Sequence, residues 1–175
     1  MGSNNLTNEE KAKIESELQS IEKQIETIRK KKIELNSRLA EMDVKDYTLK
    51  DRNGKDVKLS EMFGDKKNLI LVHNMGKGCS YCTMWADGFK DTYKEIEKKA
   101  PFVLVSPDAP DVHKQFAESR GWNYPTYSAA GTDFIFDMGY DFIKDGKHNY
   151  WPGVSVFEKS ADGTIRRVAK DFFGP

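Results

Sequence analysis

Residues 68–89, NLILVHNMGKGCSYCTMWADGF, carry a short apolar run, a glycine turn and a helical pattern in direct succession. Leu69, Ile70, Leu71 and Val72 form the unbroken apolar run, which suits a strand covered on both faces. Gly76 and Gly78 then flank Lys77 and break it. Beyond Cys82, Trp85, Phe89, Tyr93 and Ile96 recur at three or four residues, with Asp87, Lys90, Lys94 and Glu95 between them. That is the period of an amphipathic helix. Cys79 and Cys82 therefore fall where a strand hands over to the first turn of a helix.

This placement favours thiol chemistry. The first turn of a helix leaves backbone N–H groups unpaired and carries the positive end of the macrodipole. A thiolate at Cys79 would accept those N–H groups, which lowers its pKa and makes it the attacking sulfur. Cys82 lies one turn further in and can resolve a mixed disulfide. Lys77 either adds positive charge beside the pair or is simply solvated. Trp85 shares the helix face of Cys82, where it either packs or meets substrate. A zinc site would need four ligands; there is no third cysteine, and His73, His113 and His148 are scattered. No metal and no cofactor beyond a redox-active disulfide is expected, with an inert pair as the alternative.

The 175 residues suit one domain with an appendage. A formal net charge of zero gives no sign of a nucleic-acid or anionic-membrane partner. No apolar run reaches the roughly 20 residues of a membrane span, and the start lacks a signal-peptide core. Gly2 is not a myristoylation site, because Leu6 stands where Ser or Thr is wanted, and Met1, Gly2 and Ser3 equally suit an expression scar. The expected setting is the cytoplasm, where a dithiol is kept reduced or cycles.

Thr7 followed by Glu10 has the form of a capping box. From there Ile14, Leu18, Ile21, Ile25, Ile28, Leu35, Leu39 and Met42 alternate at spacings of four and three, with Lys32 in the one missing position. The pattern predicts a helix over residues 7–43, about 55 Å long at 1.5 Å per residue, with a coiled-coil seam. Such a stripe is expected to pair with a second copy, Lys32 restricting register or oligomeric state. A solvated linker helix is the alternative.

The redox domain is expected over residues 47–175. Tyr47 to Lys50 alternates, residues 51–54 turn, Val57 to Leu59 returns, and Ser60 can cap a short helix through Met62 and Phe63. Pro101 interrupts the helical pattern and Phe102 to Val105 forms the next buried strand. Asp111 caps a helix that Gly121 stops. Between Trp122 and Tyr150 periodicity fails: Tyr124, Tyr127, Phe134, Phe136, Tyr140 and Phe142 mix with Gly131, Gly139 and Gly146. These aromatics either build a small core of their own or line a substrate groove. Val154 to Glu158 and Thr164 to Val168 then form a hairpin.

Residues 47–168 resemble the thioredoxin-like redoxins of the peroxiredoxin and thiol-specific antioxidant branch. GCSYCTMWADGF (78–89), SAAGTDF (128–134) and PGVSVF (152–157) are similar to blocks of a bacterial thioredoxin-like family known only as a domain of unknown function. The resemblance implies an α/β fold, a central mixed sheet flanked by helices, here preceded by the long helix. It also implies a cis-proline against the dithiol, matched by Pro152 after Trp151, with Pro125 as the weaker match. A cis peptide there would leave the preceding backbone groups free to pair with an extended substrate. Six residues before Cys79, where thioredoxins bury an Asp, stands His73, either a proton acceptor for the resolving thiol or an inert buried histidine. Ser80-Tyr81 between the cysteines is similar to the Pro-Tyr of glutaredoxins, implying a potential towards roughly −200 to −230 mV. Gly76 replaces the Thr that peroxiredoxins place three residues before their reactive cysteine, which argues against peroxidase activity. No terminal helix follows Val168, so the sheet face it would cover is expected to be shielded by the N-terminal helix or a second subunit.

These readings converge on a cytoplasmic thiol–disulfide oxidoreductase, Cys79 attacking and Cys82 resolving. Its substrate would be a disulfide-containing protein or a low-molecular-weight thiol compound. The alternatives are a dithiol peroxidase and a non-enzymatic coiled-coil dimer carrying a redox-sensing pair.

Overall fold

The computed structural model describes residues 6–173; the readings placed on Met1, Gly2 and Ser3 lie outside the described residues. The chain divides after Leu39 into two units. The first is most of helix α1 (Asn8–Ala40). Its start is the expected capping box, in which the Thr7 N–H donates to Glu10 Oε2 at 2.8 Å and the Glu10 N–H to Thr7 Oγ1 at 3.2 Å. Its apolar seam is exposed in the single chain, Leu18 by 53% and Ile28 by 67%. No helix among the described residues is long and apolar enough to cross a membrane.

The helix stops at Ala40, short of the expected residue 43. Met42 and Val44 instead belong to strand β1 (Met42–Val44), which pairs antiparallel with β10 (Ile165–Phe172). The heptad pattern runs into Met42, but two apolar residues flanking Asp43 serve an edge strand equally well. Antiparallel β2 (Thr48–Lys50) and β3 (Asp56–Lys58) form the expected first hairpin. A 3-10 turn follows at Leu59–Phe63. Ser60 is held there by Asp46, whose carboxylate accepts both its N–H and its hydroxyl at 2.8 Å, and does not act as the cap.

The remaining strands are β4 (Asn68–His73), β5 (Phe102–Ser106), β6 (Thr126–Ser128), the hairpin pair β7 (Asp141–Lys144) and β8 (Lys147–Tyr150), and β9 (Gly153–Lys159). Helices α2 (Ser80–Glu97), α3 (Pro110–Ser119) and the one-turn α4 (Phe134–Asp137) lie between them. The main sheet is ordered β1-β10-β9-β4-β5-β6-β2-β3, with β4, β5 and β6 parallel. This is the mixed α/β sheet of the thioredoxin-like fold. The aromatic stretch after Trp122, which had no readable period, resolves into β6, α4 and the β7–β8 hairpin. Short elements of three or four residues leave too few repeats for a period to emerge.

Two cores lie on opposite faces of the sheet. Leu69, Leu71 and Phe157 pack with Phe63, Phe134 and Tyr140 on one. Val72, Phe102 and Leu104 pack with Ala86 and Tyr93 of α2 on the other. Side chains alternate along a strand, so β4 separates the two cores residue by residue. Where β9 meets β10, Gly153 leaves no room for a side chain: a Cβ there would run into the Asp171 carbonyl oxygen and lie 2.5 Å from the Tyr140 ring. Gly153→Ala is expected to destabilise the domain by about 1–3 kcal/mol, read from the urea midpoint. An unchanged midpoint would show that β9 and β10 are not packed this closely.

Candidate functional site

The turn that delivers the cysteines is strapped to the neighbouring strand. The Asn74 N–H donates to the Val105 carbonyl at 2.8 Å, extending the β4–β5 pairing by one residue. Its side-chain Oδ1 accepts from the Gly76 N–H at 2.8 Å. Gly76 has a φ of 95°, and a Cβ there would come within 2.9 Å of Asp108 Oδ1, so glycine answers both the backbone geometry and the close approach. Asp108 Oδ2 accepts from the Lys77 N–H at 2.7 Å and the Ser106 hydroxyl at 3.0 Å. Sequence reasoning missed Asp108. The available signal was its position after a buried parallel strand, at the carboxyl edge where open α/β sheets build their sites.

Cys79 occupies the N-cap of α2 and its Sγ accepts from the Cys82 N–H at 3.2 Å. A sulfur thus fills the role that a Ser or Asp oxygen usually plays. The Cys79 carbonyl accepts from the Thr83 N–H and hydroxyl, each at 3.0 Å. Cys79 and Cys82 are joined in a disulfide with Cα atoms 5.3 Å apart, within the range that needs no backbone movement. Cys82 is 3% exposed, whereas Cys79 is partly exposed.

The rest of the WADGF block holds α2 in place. Asp87 accepts from the Trp122 indole N–H at 2.9 Å and pairs with Arg120. The Arg120 guanidinium holds the Asp87 carboxyl below its ordinary pKa. Tyr124 donates its hydroxyl to the Ala86 carbonyl at 2.7 Å, and Phe89 packs edge-on against Phe102. Four contacts, from Phe102, Arg120, Trp122 and Tyr124, therefore fix the helix that carries both sulfurs.

Beside the disulfide lies an apolar groove of about 640 Å³. Cys79, Tyr81 and Trp85 line it from α2, with Met75 before them and Phe173 opposite. Phe142, Asn149 and Tyr150 come from the β7–β8 hairpin, and Trp151 and Pro152 from the link to β9. Trp151 stacks on Phe142 with ring centres 5.2 Å apart, and Phe173 meets Trp85 edge-on at 5.0 Å. The structure thus brings Cys79, Tyr81, Trp85, Trp151 and Pro152 together, Trp85 both packing and lining the groove. Lys77 is exposed and lines a different cleft, with Ser80, Asp87 and Arg120.

The expected cis-proline needs correction, and of the two readings of His73 the geometry gives the proton acceptor no support. No peptide bond among the described residues is cis, so Pro152 and Pro125 are both trans. The backbone before Pro152 is also occupied, because the Trp151 N–H donates to the Tyr140 carbonyl at 2.8 Å. The hairpin before β9 has taken the hydrogen bond that an extended substrate was expected to use. His73, for its part, points to the core away from α2. Its Nε2 is 2.9 Å from Ser155 Oγ and its ring stacks on Tyr140 at 3.8 Å. Val72, one residue earlier, is the one that faces the helix core, so alternation along β4 turns His73 to the other face.

Comparison with known proteins accords with this geometry. Residues 4–170 match the family described as Bacterial protein of unknown function (DUF899), and the chain belongs to it. No curated protein sequence matches the chain. Among solved structures, the peroxidoxin BcpB of Mycobacterium tuberculosis is similar at 25% identity and a TM-score of 0.62, over 76% of this chain and 84% of that one. Reduced Prx3 of Vibrio vulnificus is similar at 13% identity and a TM-score of 0.63, over 78% and 87%. A peroxiredoxin Q variant of Xanthomonas campestris is similar at 21% identity and a TM-score of 0.53, over 74% and 82%. The fold is the thioredoxin-like one of these redoxins, and it carries a Cys79–Cys82 pair at a helix start.

Burial, with the charges of Arg167 and Lys170, holds the His73 pKa well below its ordinary value. Burial likewise lowers His113 to about 4. The unfolded chain binds protons at both residues below about pH 6.5 while the folded chain resists them, so stability is present at pH 7 and lost as pH falls. Unfolding free energy is expected to drop between pH 6 and 5 by up to about 1.4 kcal/mol per unit for each histidine. His73→Gln should make the decline shallower in urea titrations without moving the pH profile of thiol exchange. An unchanged decline, or a displaced exchange profile, would return His73 to the reacting centre.

Proposed function

We propose that this member of the DUF899 family is a thiol–disulfide oxidoreductase. The observation that carries the reading is partly exposed Cys79 at the α2 N-cap, whose sulfur faces the Cys82 amide and bonds to that of buried Cys82 one turn in. In the reduced protein, Cys79 gives up its proton and attacks one sulfur of a substrate R–S–S–R′. The S–S bond breaks, Cys79–S–S–R forms, and R′S⁻ leaves and takes up a proton. The Cys82 thiol then loses its proton and attacks Cys79, releasing RS⁻, which is protonated in turn. Two protein thiols are oxidised to one disulfide and one substrate disulfide is reduced to two thiols. The same amide that meets the Cys79 sulfur in the disulfide would stabilise its thiolate. A thiol donor must then reduce the pair again, and a cytoplasmic setting supplies one.

The second reading, a dithiol peroxidase, is favoured by the peroxidoxin and peroxiredoxin neighbours. Against it stand Gly76 in the threonine position and a groove with no cationic side chain. The two readings separate in stopped-flow experiments that set hydrogen peroxide against a model disulfide. For the oxidoreductase, Cys79 should be alkylated with a pH profile displaced below the ~8.5 of a free thiol. Cys82→Ser should accumulate a mixed disulfide visible by mass spectrometry, and Cys79→Ser should form none. Ordinary alkylation of Cys79, or faster oxidation by peroxide than by any disulfide, overturns the reading.

The exposed seam of α1 supports a second proposal, that the protein works as a homodimer paired through this helix. Ile14, Leu18, Ile21 and Ile25 present an unbroken stripe at coiled-coil spacing. Sedimentation equilibrium should give twice the chain mass at micromolar concentration, and Ile21→Glu with Ile25→Glu should give the monomer. A monomeric parent protein would exclude the pairing.

A further inference from the structure

Resting on the oxidoreductase reading, we infer that the groove beside Cys79 selects disulfides carried on uncharged, apolar peptide segments and discriminates against glutathione disulfide. The groove's side chains are aromatic, aliphatic or amide, and none of them is charged. Each glutathione half carries two carboxylates, which would lose water here without a cation to meet them, and burying an unpaired charge is costly. An apolar side chain next to the substrate cysteine would instead be covered by Trp151 and Phe142, which already stack face to face.

The rim extends the same chemistry outward. Tyr81 is 72% exposed and Trp151 52%. Large apolar side chains grouped around a reactive centre mark a surface that meets another apolar one. Asn149 is the groove's amide; its Nδ2 donates to the Lys147 carbonyl at 3.0 Å, and its Oδ1 can accept from a passing peptide N–H. The selectivity therefore resides in the β7–β8 hairpin and the link after it, while the sulfurs reside on α2.

The test uses the full chain, reduced and freed of reductant, mixed with each of three disulfides. These are hydroxyethyl disulfide, glutathione disulfide and the disulfide of N-acetyl-Phe-Cys-amide. Each rate constant is divided by that of the same disulfide with free dithiothreitol, which removes intrinsic reactivity. The apolar peptide should then exceed glutathione disulfide by about tenfold to a hundredfold, as expected for covering one aromatic side chain. Trp151→Ala and Phe142→Ala should each bring that ratio towards one. Asn149→Lys, which places a cation in the groove, should raise the glutathione rate several-fold and lose the gain at high salt. Equal normalised rates in the parent protein, or a ratio that none of the three variants moves, overturns the selectivity. Failure of even hydroxyethyl disulfide to oxidise Cys79 and Cys82 overturns the oxidoreductase reading itself.

Discussion

One backbone amide, that of Cys82, is aimed at one sulfur, that of Cys79, and much of the surrounding structure fixes this alignment. A helix N-terminus presents its amides to whatever occupies the cap; here the occupant is a cysteine sulfur. The alignment holds only if the helix start cannot shift relative to the strand before it. Asn74 and Asp108 tie down the turn on one side, while Arg120, Trp122 and Tyr124 tie down Asp87 and Ala86 on the other. A sulfur placed by loop geometry alone would wander by more than the hydrogen bond tolerates.

Alternation along β4 then divides labour between the two faces of the sheet. Ile70 and Val72 look to α2, and Leu69, Leu71 and His73 look away from it. A residue six positions before the cysteine is close in sequence and still on the wrong side for proton transfer. His73 instead closes an aromatic stack with Tyr140 and Phe134. Burial there holds its pKa well below the ordinary value, which ties the residue to stability.

What could be read from the chain follows the distance over which each feature is determined. The strand–turn–helix around Cys79 is local, so apolar runs, glycines and helical spacing disclose it, as Thr7 and Glu10 disclose the start of α1. Asp108 acts on Lys77 across 31 positions, and no local pattern marks that partnership. The groove is harder still, because Phe142 and Trp151 meet Tyr81 only after the hairpin has folded back. The aromatic composition of residues 122–150 is visible in the sequence, but the structure uses these rings in the main core of the sheet rather than in a small core of their own, and along the groove beside Cys79. Phe134 and Tyr140 are core, and Phe142 lines the groove. Pro152 illustrates the opposite error. A position matched to other thioredoxin-like chains predicted a cis bond, while here a hairpin before β9 has already taken the Trp151 amide.

The shared fold and the differing site have different weight. Redoxins as distant as 13% identity keep the same sheet and helix arrangement, because burying both faces of β4 and β5 demands it. Chemistry is decided by what surrounds the sulfur. A peroxide is small and polar, its reduction expels a hydroxide that needs a proton, and a charged or hydroxyl-rich pocket serves it. A peptide disulfide expels thiolates, which are far better leaving groups, and needs instead a surface to hold the chain that carries them. Around Cys79 stand Trp85, Phe142, Trp151 and Phe173, with Gly76 where a hydroxyl would have stood. Those surroundings are mostly apolar, the hydroxyls among them being those of Tyr81 and Tyr150. The proposed sulfur exchange rests on these surroundings, not on the scaffold, which this chain shares with peroxiredoxins.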